Sequence, residues 1–127
     1  MRYLLDTHAV IWYLEDSSHL PSNTKEIINK NKNRIYLSSI SLWEIAIKIN
    51  VGKLKLVMPF DELLGNIKKG DFEVLQIEDE YLKMLSIQPF IHKDPFDRLL
   101  IATALAENLT IITADESIHK YEVPWTW

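Results

Sequence analysis

Short, wholly apolar runs alternate along this chain with longer stretches in which apolar residues recur every three or four positions. Tyr3 to Leu5 is brief, apolar and stopped by an acid, which predicts a buried strand. HAVIWYLE then predicts a helix, and PSNTKEIINKNKN a second, with Pro21 near its first turn. IYLS, residues 35–38, is aromatic and β-branched and predicts the second strand. In SLWEIAIKIN the positions Leu42, Ile45 and Ile49, with Trp43 and Ala46, have helical spacing, and Gly52 ends the run. The helix DELLGNIKKG, the strand FEVLQI and the helix DEYLKMLSI come next. Residues 96–107 form an almost all-apolar helix, LTIIT a fourth strand, and YEVPWTW a candidate edge strand broken by Pro124.

Strands alternating with helices imply an α/β fold with a parallel sheet covered on both faces. No linker, repeat or low-complexity tract divides residues 1–127, so a single domain is expected. KNKNR, at 30–34, is a short basic patch. A composition of 47% hydrophobic and 25% charged residues excludes disorder. The lack of cysteine removes disulfides and thiolate zinc sites. Asp6 and His8 interrupt the first apolar stretch, which is therefore neither a signal-peptide core nor a membrane span. The expected location is the cytoplasm, with no membrane partner. A net charge of −4 offers no broad basic face for phosphates. Any nucleic-acid surface must be local or shared with a second subunit, with Lys48, Lys53, Lys55 and Arg98 as candidates.

Four acids fall near one edge of this outline. Asp6 follows the first strand, Glu44 lies in the first turn of the helix after the second, Asp97 begins the apolar helix, and Asp115 follows LTIIT. Ligands of open α/β sheets bind outside the carboxyl ends of the strands. Each acid also has a structural use. Ser41 to Glu44 matches a capping box. Asp94-Pro95-Phe96-Asp97 reads as an N-cap, a first-turn proline and an acid favoured by the helix dipole. Asp6 and Asp115 suit turns or caps. Caps need not converge, whereas a metal site must. Mg²⁺ and Mn²⁺ take oxygen ligands, and a metal-bound water suits phosphodiester hydrolysis. On that reading Asp94 is the cap that aims Asp97 inward.

Other chemistries find less support. His8 and His92 near acids suggest zinc, although histidines hydrogen-bonded beside a site or in a core are commoner. No nucleophile elbow appears, and three glycines make no phosphate loop. Trp12 and Trp43 lie on apolar helical stripes, which suits core or dimer packing. Trp125 and Trp127 could cover an edge or meet a partner.

LLDTHAVIWYL, SSISLWEIAIK, DPFDRLLIATA and TIITAD, in that order and over essentially the whole chain, resemble PIN-domain ribonucleases, specifically the VapC-type toxins of bacterial toxin–antitoxin pairs. The resemblance implies a three-layer α/β/α fold with a five-stranded parallel sheet. It implies that Asp6, Glu44 and Asp97 are metal ligands, with Asp115 the more variable fourth, and that Thr7 and Thr113 sit beside them. The implied activity is Mg²⁺- or Mn²⁺-dependent cleavage of RNA to a 5′-phosphate and a 3′-hydroxyl. The implied partners are a second copy in a homodimer and a cognate antitoxin. The alternative is a non-catalytic binding module of the same fold whose acids serve as helix caps.

Overall fold

A computed structural model describes residues 1–127. The elements are β1 (Arg2–Leu5), α1 (Thr7–Leu14), α2 (Ser22–Asn29), β2 (Arg34–Ser38), α3 (Ser39–Asn50), α4 (Phe60–Lys69), β3 (Phe72–Leu75), α5 (Asp79–Ile87), α6 (Pro95–Glu107), β4 (Thr110–Ile112), α7 (Glu116–His119) and β5 (Trp125–Thr126). All five strands pair in parallel in the order β3-β2-β1-β4-β5.

Side chains alternate between the faces of a strand, and here each face meets its own helical layer. Tyr3 and Leu5 of β1 join Ile35 and Leu37 of β2, Val10 of α1, Ile28 of α2 and Leu63 and Ile67 of α4 in one cluster. Leu4 and Tyr36 face the other way, onto Leu100, Ile101 and Ala104 of α6 and Ile118 of α7. A third cluster, Ile40, Tyr81, Leu99 and Ala102, ties α3, α5 and α6 together. This is the expected five-stranded α/β/α architecture.

Several boundaries move. The second helix stops at Asn29 rather than running through KNKN, because the Asn33 side-chain amide donates to the Ile27 carbonyl (2.8 Å) and turns the chain. The third and fourth strands are shorter than FEVLQI and LTIIT. Gly52, at φ 77°, turns the chain after α3 as expected, and Asn108 takes the same left-handed conformation after α6. The four-residue α7 has no counterpart in the sequence reading. Pro124 precedes β5 at the sheet edge, where its carbonyl accepts from the Ile111 N–H (2.8 Å). No helix is long and apolar enough to cross a membrane.

Candidate active site

Asp6 is the first residue beyond β1, and its backbone N–H still donates to the Ile112 carbonyl of β4 (3.1 Å). Its Oδ1 caps α1 by accepting from the Ala9 N–H (2.8 Å), and its Oδ2 accepts from the Thr113 hydroxyl (2.5 Å). Burial raises its pKa above the ordinary carboxylate value, against the pull of the Thr113 and Ala9 hydrogen bonds.

Glu44 is placed differently from the capping-box reading. Helix α3 begins at Ser39, and Ser38 is the N-cap, its hydroxyl accepting from the Ile40 N–H (3.1 Å). Glu44 therefore lies in the second turn, beyond reach of the N-cap. It is 4% exposed and turned towards α1. Its Oε1 accepts from the Thr7 hydroxyl (2.7 Å), which also lies 3.1 Å from the Ser41 hydroxyl. Its Oε2 is 2.6 Å from Lys48 Nζ, one turn on. The Lys48 pKa is raised, chiefly by that bond and further by the charges of Asp94 and Asp97. Of the four candidate basic residues, only Lys48 enters the acidic cluster. Arg98 packs over the Phe90 ring (4.6 Å), and Lys53 and Lys55 are exposed.

Asp94 caps α6 as expected, its Oδ1 accepting from the N–H groups of Phe96 (2.9 Å) and Asp97 (3.0 Å). Asp97 caps nothing. Its Oδ2 lies 3.0 Å from His92 Nε2. Burial, followed by the neighbouring charges of Asp94, Asp115 and Glu44, pushes its pKa up to about 7, with His92 opposing. Asp115 caps α7 through Ser117 (2.8 Å), and its own N–H donates to Thr113 Oγ1 (3.0 Å). The fully buried Thr113 thus bridges Asp6 and Asp115.

Asp97 feels the charges of Asp115 and Glu44, and Asp6 that of Asp115, so Asp115 links Asp6 to the pair Asp97 and Glu44. The ligand-type atoms of His92, Asp94 and Asp97 lie within 4.8 Å of one another. The sequence offers His92 as a zinc candidate or as a histidine hydrogen-bonded beside a site or in the core, and gives Asp94 only a capping role; the structure sets His92 beside Asp97. The HKDPFD spacing was the available signal. A cleft of about 260 Å³ opens between Asp6, His8, Trp12, Ala114 and Asp115. Two larger recesses, of about 340 and 640 Å³, lie around Asn29, Lys30 and Asn33 and include none of the acids. Trp12 is half-buried and packs with His8, His19 and Trp127. Trp43, expected in core or dimer packing, is 58% exposed and meets the Phe96 ring edge-to-face, so it is not in the core of this chain.

Fold and site define an α/β protein whose parallel sheet presents a shared acidic cluster at its carboxyl edge. Residues 3–124 match the family model described as the PIN domain, and the chain belongs to that family. Similar folds include a chain of VapBC2 from Rickettsia felis, solved bound to a DNA fragment from the promoter, with 22% identity and TM-score 0.75 over 99% of this chain and 98% of that one. VapBC-1 from nontypeable Haemophilus influenzae matches with 18% identity and TM-score 0.68 over 99% and 97%. VapBC-5 from Mycobacterium tuberculosis, a member of the VapBC family of toxin–antitoxin systems, matches with 15% identity and TM-score 0.60 over 98% of this chain and 95% of that one. At these identities the likeness is one of fold. No curated protein matches.

Proposed function

We propose that this chain is a divalent-metal-dependent endoribonuclease and the toxin of a toxin–antitoxin pair. The carrying observation is that Asp97 feels the charges of Glu44 and Asp115, and Asp6 that of Asp115, although the four lie on separate elements. Asp6 and Asp115 do cap helices, as the binding-module alternative requires, but Glu44 and Asp97 cap nothing. Glu44 is buried but already paired with Lys48, so the unmet need falls on Asp97, whose pKa of about 7 marks a carboxyl that a nearby cation would relieve.

The donor set fits a hard ion. It is built of carboxylate oxygens, two of them steadied by the hydroxyls of Thr7 and Thr113. Asp6, Glu44 and Asp97 would hold Mg²⁺ or Mn²⁺, with Asp115 contributing directly or through water. When bound, such an ion supplies an activated water and neutralises charge on the leaving 3′-oxygen. The chain's own groups do the rest. Thr113 and the Ala9 N–H fix Asp6, while Thr7 and Lys48 fix Glu44. Asp97 would give up its proton to solvent on taking the ion. Asp115, half-buried and tied to α7 through Oδ1 only, keeps Oδ2 to take a proton from water attacking the phosphate. The products are a 5′-phosphate and a 3′-hydroxyl.

The partners follow from the same reading. The chain acts in the cytoplasm as a homodimer and is restrained by a cognate antitoxin, as the toxin–antitoxin character of a structurally similar protein supports. Exposed Trp43 (58%), Val51 (57%) and Ile87 (79%) are apolar surface for such partners to cover. The test is controlled expression of wild type and Asp97→Asn, with mapping of new RNA 5′ ends. Discrete 5′-phosphate ends are expected with wild type only. Identical RNA profiles from two soluble proteins would overturn the nuclease reading.

A further inference from the structure

Three of the four acids are held by more than one bond or by the backbone. Asp6 accepts from a backbone N–H and from Thr113. Glu44 is gripped by Thr7 and Lys48, and Asp115 by the Ser117 N–H. The Asp97 side chain has a single partner, His92 Nε2. With Asp97 ionised, Nε2 must carry the proton and donate.

His92 lies in the segment between α5 and α6, which has no regular structure to orient it. Tyr121 supplies the orientation. Its hydroxyl oxygen accepts from two successive backbone N–H groups, those of Ile91 (3.1 Å) and His92 (3.0 Å). Tyr121 is 5% exposed and packed in the same cluster as Ile118 and Val123, so the oxygen is a fixed point of the core. Two adjacent donors converging on one fixed acceptor set the plane of the peptide from which the His92 side chain departs. The near end of the segment is held as well, the Gln88 amide donating to the Arg98 carbonyl (2.9 Å).

We propose that His92, set in place by Tyr121, is the positioning residue for Asp97: Nε2–H holds Oδ2 and leaves Oδ1 as the oxygen available to a cation. This rests on the metal reading above. It extends it to two residues outside the four acids, one of them more than twenty positions away in sequence. Histidine and tyrosine here act through Asp97 and touch neither cation nor RNA. Such outer partners typically change metal affinity about 10–100-fold.

Calorimetric titration of the intact chain with Mn²⁺ tests the proposal, alongside thermal unfolding without metal. His92→Ala is expected to weaken Mn²⁺ binding about tenfold or more. His92→Gln, whose amide can still donate to Asp97, should recover most of that loss. Tyr121→Phe keeps the ring and removes the acceptor, and should weaken binding by a smaller factor. A purely structural histidine would lower the unfolding temperature of both His92 variants and leave Mn²⁺ affinity unchanged, which would overturn the proposal. So would a nitrogen coupling in the pulsed electron-spin resonance of bound Mn²⁺ that disappears in His92→Ala, because His92 would then be a ligand. If the wild-type chain binds no Mn²⁺, the metal reading falls and this inference with it. Wild-type binding unaffected by either substitution removes the inference alone.

Discussion

A carboxyl group buried among other carboxyl groups holds its proton to higher pH than a free one, and Asp97 shows this most clearly. Its pKa is raised to about 7 in the folded chain, with burial first and then Asp94, Asp115 and Glu44, against His92. In the unfolded chain the value returns to about 3.9. Between these values the folded state holds a proton that the unfolded state has lost, so stability falls as pH rises through that window. Asp6, also raised by burial, contributes in the same direction. The metal-free protein is therefore expected to unfold at a higher temperature at pH 5 than at pH 8. Asp97→Asn should flatten that slope and stabilise the metal-free chain at pH 8. A profile equally steep in the variant would show that other groups set it. Asp6 and Asp115 are legible in the sequence as candidates, because a carboxylate at a strand end stands out from an apolar run. The His92–Asp97 contact is not, since the intervening loop has no period to read, and neither is the hydroxyl of Tyr121.

Local capping chemistry fixes where several helices begin, α6 and α3 among them. Asp94-Pro95 fixed the start of α6, because an acid before a proline satisfies free N–H groups and presets the backbone at once. At α3 the same signals point to the wrong serine. Ser41 and Glu44 have the spacing of a capping box, but Ser38 starts the helix one turn earlier. Sequence could not separate three serines within four residues, Ser38, Ser39 and Ser41, all able to cap. The short α7 was missed because four residues give too few positions for a helical period. Ser38→Ala is accordingly expected to lower stability by about 1 kcal/mol in urea unfolding. Ser41→Ala should leave the cap intact and act on the Thr7–Glu44 contact instead, weakening Mn²⁺ binding. The opposite ranking would restore the capping box.

For the whole molecule, the strand order is what brings the acids of the proposed site towards one edge. Chain progress from β1 to β2 and β3 runs to one side, and β4 and β5 lie on the other. The reversal beside β1 opens a crevice at the carboxyl edge, where Asp6 and Asp115 line the cleft between β1 and β4. Alternation of strands and helices made the layers legible, but strand order depends on pairings such as Leu4 with Ile111, more than a hundred residues apart, which no local pattern encodes. It follows that the site exists only while the sheet is whole. Leu63, fully buried on α4 in the layer that does not carry Asp97, tests this. Leu63→Ala should lower stability by about 2–5 kcal/mol. Mn²⁺ at a hundredfold its dissociation constant should raise stability by about 2.7 kcal/mol in both wild type and variant. Equal increments would show that the acidic site and the far helical layer unfold together, since distant effects add when one cooperative unit is at stake. A clearly smaller increment in Leu63→Ala would mean that the site loosens before the sheet does, and that the fold holds the acids less firmly than its topology implies.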